Sequence, residues 1–174
     1  QAIIGSRHLG LYTAAEVEDL QTKLALLADA AQQSIDWPRL RALCETSAPV
    51  LPVFHKPAEH RAKLAVAQDE AFCFTYAETL ETLEAAGAEL VPFSPLHDAA
   101  LPEGVSGLYL PGGYPELHAE ALSRNQPMQQ SIRTAVEAGL PTAAECGGFL
   151  YLGQTLEAPD GRSFPMAGVL PGAG

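Results

Sequence analysis

The run Pro141-Thr142-Ala143-Ala144-Glu145-Cys146-Gly147-Gly148-Phe149-Leu150-Tyr151-Leu152 constrains the fold more than any other part of the chain. Small residues lead straight into Cys-Gly-Gly, and an apolar helical pattern follows. That order predicts a buried strand, a sharp turn and a helix. The turn sets Cys146 at the helix N-terminus, where unpaired N–H groups and the positive end of the dipole favour the thiolate. Gly147 and Gly148 let the backbone turn tightly and let the helix approach the sheet. Strand side chains alternate, so Glu145 points away from the sulfur. The arrangement is a nucleophile elbow with Cys in place of Ser. A buried structural cysteine is the competing reading; the strand and helix on either side favour the nucleophile.

The residues before this elbow alternate strand and helix. Leu64 to Ala67 reads as a short apolar strand, and Tyr76 to Ala86 as an amphipathic helix that ends at Gly87. Glu89 to Phe93 and Val105 to Leu110 are further strands, Met128 to Ala138 a helix ended at Gly139, and Thr142 to Glu145 the nucleophile strand. Such alternation predicts an α/β fold, a parallel sheet with helices on both faces. Active sites in such sheets sit at the carboxyl ends of the strands. Gly112-Gly113 and Gly147-Gly148 both fall at such ends.

The region from Gln1 to about His60 differs in character. Thr13-Ala14-Ala15-Glu16 reads as a capping box opening a helix through Val17, Leu20, Leu24, Leu27 and Ala31. Asp36-Trp37-Pro38 caps a second, shorter helix through Leu40, Leu43 and Cys44, with Cys44 expected to be buried on its apolar face. Pro49, Pro52 and Pro57 mark a seam that runs to Lys63. Two helices offer too little surface for a domain of their own. The region therefore reads as the tail of a domain lying upstream.

Composition narrows the function. The net charge of -11 over 174 residues disfavours nucleic acid and anionic membranes as partners. No apolar run approaches the ~20 residues that span a bilayer. Cys44, Cys73 and Cys146 are odd in number and widely spaced, which makes neither a disulfide framework nor a zinc pattern. A reducing cytoplasm is the simplest compartment.

The second informative turn is Tyr109-Leu110-Pro111-Gly112-Gly113-Tyr114-Pro115-Glu116. A glycine pair after a strand exposes backbone N–H groups that can hold an oxyanion, which thiolate attack on an amide requires. A plain strand-to-helix turn is the alternative; its pairing with Cys146 favours the oxyanion role. A cysteine nucleophile also needs a base, usually His. His8, His55, His60, His97 and His118 each read more readily as surface residues than as that base. The aromatic segment Asp69-Glu70-Ala71-Phe72-Cys73-Phe74-Thr75-Tyr76 predicts a loop at the same sheet edge, with Phe72 and Phe74 both buried and the role of Asp69 open.

Three of these segments, Ala144 to Leu152, Gly112 to Glu116 and Asp69 to Phe74, together with Arg7-His8-Leu9-Gly10-Leu11, resemble the cobyrinate or hydrogenobyrinate a,c-diamide synthases. The motifs occur in the family's order and cover nearly the whole chain. The resemblance implies an upstream ATP- and magnesium-dependent synthetase domain that activates the a and c carboxylates of a corrinoid. It also implies a flavodoxin-like class I glutamine amidotransferase domain that releases ammonia from glutamine in cobalamin biosynthesis. Cys146 matches the nucleophile that forms the glutamyl thioester, and Gly113 and Gly147 match the backbone donors to the oxyanion. The family's phosphate-binding loop is expected upstream of Gln1 and its catalytic histidine downstream of Gly174, so the chain alone is expected to be inactive.

Residues 1–60 are then the end of the synthetase domain and a linker, and residues 61–174 an amidotransferase domain incomplete at its C-terminus. No cofactor or metal is expected in this chain; its partners are glutamine and, through the synthetase domain, the corrinoid. The related nickel-sirohydrochlorin a,c-diamide synthases are the alternative family that the resemblance leaves open. A stand-alone cysteine hydrolase or stress protein is a rival reading, which the synthetase-like tail disfavours. A non-catalytic amidotransferase-like module is another, which the missing histidine favours.

Overall fold

The computed structural model describes Ile4, Tyr12 and residues 14–45 and 62–174. The chain divides into two compact units, Gln1–Pro52 and Val53–Gly174. The Arg7–Leu11 motif, Thr13 of the capping box, His55, His60 and most of the Pro49–Lys63 seam lie outside the described residues.

In the first unit a 3-10 turn over Ala14–Glu16 precedes helix α1, Leu20–Ser34. The helix starts at Leu20 rather than at the predicted capping box. Asp19, with φ of 53°, breaks the backbone first; short polar side chains tolerate this left-handed conformation. Helix α2, Trp37–Cys44, forms as its cap predicts: the Asp36 carboxylate accepts from the Arg39 N–H at 3.1 Å and Pro38 sits in the first turn. Cys44 is exposed, contrary to the sequence reading, because α2 buries none of its residues.

The second unit is built on strands β1 (Ala62–Ala67), β2 (Ala88–Phe93), β3 (Gly107–Leu110) and β4 (Thr142–Ala144). They form a four-stranded sheet of order β2-β1-β3-β4, parallel throughout. Helix α3 (Ala77–Ala85) joins β1 to β2 and ends at Gly87, whose φ of 100° stops the helix. Helices α4 (Ala119–Arg124) and α5 (Gln126–Glu137) lie between β3 and β4. The two faces of the sheet follow from strand alternation. Ala65, Ala67, Phe93, Leu108 and Leu110 form one core with Leu122, Met128 and Ile132. The opposite face carries α3. Beside it Leu64, Leu83, Tyr109, Ala143 and Glu145 line an open, mostly apolar groove of about 730 Å³.

Helix α6 (Gly147–Tyr151) follows the nucleophile strand. The chain then turns through an antiparallel hairpin, β5 (Thr155–Glu157) with β6 (Ser163–Pro165), which the strand–helix alternation did not anticipate.

Candidate active site

Cys146 lies between β4 and α6 with φ 48° and ψ -117°. A non-glycine residue held there stores on the order of 1–3 kcal/mol and persists only where its surroundings enforce it. Three hydrogen bonds do so. The Glu145 N–H donates to the Leu110 carbonyl at 3.1 Å, and the Gly148 N–H donates to the carbonyls of Pro111 at 3.0 Å and Glu145 at 2.9 Å. The last residue of β3, the loop after it and the elbow thus form one backbone network. Cys146 is exposed, and its sulfur has no hydrogen-bond partner among the described residues.

Two glycines hold the geometry by lacking a side chain. A β-carbon on Gly148 would lie 2.1 Å from the Leu110 oxygen, and one on Gly113 would lie 2.0 Å from the Ala71 oxygen. The helix is pressed onto β3, and the Gly112-Gly113 loop onto the loop after β1. The Gly113 nitrogen lies 3.2 Å from the point where a Gly147 β-carbon would sit. A β-carbon on Gly112 would lie 3.5 Å from Cβ of Cys146. Cys146, Gly113 and Gly147 therefore meet at the carboxyl ends of β3 and β4. The N–H groups of Gly113 and Gly147 donate to no acceptor among the described residues. Helix α6 has only five residues, so these local N–H groups, rather than a long helix dipole, supply the positive potential.

Asp69 organises the neighbouring loop. One carboxylate oxygen accepts from the N–H groups of Ala71 (2.9 Å) and Phe72 (3.1 Å); the other accepts from Ser94 Oγ (2.8 Å) and the Leu96 N–H (2.9 Å). Phe72 is fully buried and packs edge-on against Tyr151, with ring centroids 5.4 Å apart. Phe74 is 49 % exposed, which corrects the expectation that both phenylalanines are buried. The reason is backbone pairing. The Phe74 N–H donates to the Gly112 carbonyl at 3.1 Å in an isolated antiparallel bridge, so the ring projects along the rim instead of into the core.

Electrostatics near the site centre on two pairs that the sequence analysis missed. The Tyr109 hydroxyl donates to the Glu145 carboxylate. Burial first, then the Glu145 hydrogen bond, push the Tyr109 phenol up to about 12. His97 Nε2 lies 2.9 Å from Glu70 Oε2 on the exposed rim. Glu70 is held below the usual carboxylate range by its backbone N–H and then by His97, while the Glu70 hydrogen bond raises the His97 imidazole. His118 sits in the 3-10 turn Pro115–His118 that follows the oxyanion loop. Burial, then the Asp69 charge, raises the Tyr151 phenol, whose hydroxyl has no partner among the described residues. No group of His, Cys, Asp and Glu able to hold a metal ion occurs among the described residues. No helix among them is long and apolar enough to cross a membrane.

A parallel α/β sheet with a strained cysteine elbow beside a glycine loop defines a class of cysteine-dependent acyl-transfer domains. Residues 63–173 match the CobB/CobQ-like glutamine amidotransferase domain, and the chain belongs to that family. It is 46% identical over 171 residues to the cobyrinate a,c-diamide synthase of Synechocystis sp., covering 96% of this chain and 36% of that protein. It is 48% identical over 167 residues to the hydrogenobyrinate a,c-diamide synthase of Stutzerimonas stutzeri, covering 96% of this chain and 38% of the relative. The hydrogenobyrinate a,c-diamide synthase of Pseudomonas aeruginosa is 45% identical over 174 residues, again covering 96% and 38%. The chain thus spans little more than a third of the length of these curated relatives.

Proposed function

We propose that this chain is the glutaminase portion of a corrinoid a,c-diamide synthase in cobalamin biosynthesis, acting in the cytoplasm. The names of the relatives support the substrate class, a corrin acid with or without cobalt. The observation that carries the catalytic part is the strained Cys146 with the free N–H groups of Gly113 and Gly147 beside it.

Cys146 sulfur attacks the glutamine side-chain amide carbon. The carbonyl oxygen takes up negative charge, which the Gly113 and Gly147 N–H groups stabilise; losing one such donor typically costs ~10²-fold or more. The C–N bond breaks as the proton given up by the Cys146 thiol passes to the nitrogen, which leaves as ammonia, and a γ-glutamyl thioester remains. Water then releases glutamate and restores the thiol. In this reading residues 1–60 are the end of an ATP-dependent synthetase domain and a linker, and residues 61–174 the amidotransferase domain. ATP and magnesium serve the synthetase domain outside this chain. Ammonia goes to the a and c carboxylates that domain activates.

Incubation with a chloroketone analogue of glutamine, followed by mass spectrometry, tests the reading. An adduct is expected on Cys146 and is lost in Cys146→Ala. An adduct on Cys44 or Cys73 instead, or none on any thiol, overturns it.

A further inference from the structure

We propose that Phe74, steadied by Tyr76, is a substrate-binding residue that takes the aliphatic stem of the acyl substrate at Cys146; the proposal rests on the glutaminase reading above. A β-carbon on Gly112 would lie 3.5 Å from both Cys146 Cβ and Phe74 Cδ1. Cβ of Cys146 and the edge of the phenyl ring therefore flank the same point beside Gly112. The ring is 49 % exposed, and that of Tyr76, packed edge-on against it with centroids 5.3 Å apart, is 63 % exposed. Phe149, two residues beyond Gly147, is a further exposed aromatic on the elbow helix, at 55 %. Contiguous exposed apolar surface, such as the paired rings of Phe74 and Tyr76 begin to form, marks ligand grooves and interaction sites.

The ring does not owe its exposure to a loose loop. Asp69 pins the start of the loop with four hydrogen bonds, Phe72 anchors it in the core, and the Phe74 N–H is tied to Gly112. Phe72 is fully buried in the core, whereas Phe74 stays half exposed at the rim. A rigid, pre-placed apolar wall needs no ordering when ligand arrives. Glutamine suits it: two methylenes separate the amide that meets Cys146 from the α-carbon that bears the charged amino and carboxylate groups. Burying two methylenes against a ring corresponds to on the order of 10-fold in binding. A wall of this kind recognises chain length and leaves the polar head to other groups.

The test compares two reagents on the 174-residue chain. One is a chloroketone analogue of glutamine that carries its electrophile at the amide position. The other is iodoacetamide, which has no stem. Phe74→Ala is expected to slow Cys146 labelling by the analogue on the order of 10-fold while changing iodoacetamide labelling less than about 2-fold. Phe74→Leu is expected to restore most of the analogue rate, and Tyr76→Ala to give an intermediate loss. Leu and the Tyr76 variant keep the test decisive if Phe74→Ala unfolds the loop. An analogue-to-iodoacetamide ratio that is the same in wild type and all three variants overturns the proposal. Should wild-type Cys146 take iodoacetamide but show no preference for the analogue, the glutaminase reading fails and this proposal falls with it. Equal losses with both reagents assign Phe74 to loop structure and also overturn it.

Discussion

The Tyr109 hydroxyl donates to the Glu145 carboxylate, joining the carboxyl half of β3 to the residue just before the nucleophile. The bond lies on the sheet side that carries the open groove, so the carboxylate is engaged away from Cys146. Tyr109→Phe removes the donor. The expected loss is about 1 kcal/mol, since Glu145 is exposed and rehydrates readily; the shift of the urea midpoint measures it. The pH dependence has a definite sign. Tyr109 is raised from 10.0 to about 12, so the folded state favours the neutral phenol. Its contribution is complete below pH 10 and is lost as pH rises from 10 to 12. The Tyr109→Phe variant is expected to lack that component of the alkaline loss, and one tyrosine ionisation in the phenolate absorbance titration.

Gly148→Ala is expected to be among the most damaging small substitutions in the chain. Its β-carbon would meet the backbone oxygen of Leu110 at 2.1 Å, and neither helix nor strand can give way cheaply. The loss should reach or exceed the top of the ~1–3 kcal/mol range for overpacking. Gly172→Ala is the control: nothing lies within 4 Å of its added carbon. That change should stay within about 0.5 kcal/mol. Equal denaturation midpoints for the two variants would show that α6 is not wedged against β3.

These two sites show what was legible in the sequence. The elbow was, because a run of small residues, Cys-Gly-Gly and an apolar repeat are all local signals. The parallel sheet was too, since alternation of strand and helix leaves few other topologies. The Tyr109–Glu145 and Glu70–His97 pairs were not, being separated by 36 and 27 residues and fixed only once the strands align. Phe74 was misread because its burial depends on a bridge to Gly112 that no pattern announces. The hairpin of β5 and β6 had a usable signal in Asp160-Gly161, where Gly161 takes a φ of 81°, but its strands are only three residues long. The start of α1 was misplaced because a left-handed Asp19 overrode a favourable capping pattern.

The His97–Glu70 pair gives a prediction in pH rather than stability. The Glu70 hydrogen bond raises His97, so the pair's contribution is complete below the ordinary histidine value, while Glu70 stays ionised, and is lost as pH rises through the raised histidine value. Glu70 is lowered, so the contribution is also lost as pH falls through its depressed value. NMR titration should find His97 titrating above the ordinary histidine value and returning toward it in Glu70→Gln. Both side chains are largely exposed, so the melting temperature should not move. A His97 titration unaffected by Glu70→Gln would mean that the two side chains do not pair in solution.

The last prediction concerns turnover. Thioester chemistry at Cys146 needs a proton acceptor and donor, first for the leaving ammonia and then for the attacking water. Among the described residues nothing hydrogen-bonds the Cys146 sulfur; His97 is engaged with Glu70, and His118 sits in the 3-10 turn after the oxyanion loop. Positioned acid–base help is worth ~10²–10⁴ in rate. Glutamate release by this 174-residue chain should therefore fall at least that far below release by a full-length relative such as the Pseudomonas aeruginosa hydrogenobyrinate a,c-diamide synthase. The Cys146 adduct should still form with an electrophilic glutamine analogue, which needs no leaving-group proton. Comparable turnover would show that a histidine within the chain serves as the base. Single substitutions of His97 and His118, followed by His8, His55 and His60, would then identify it.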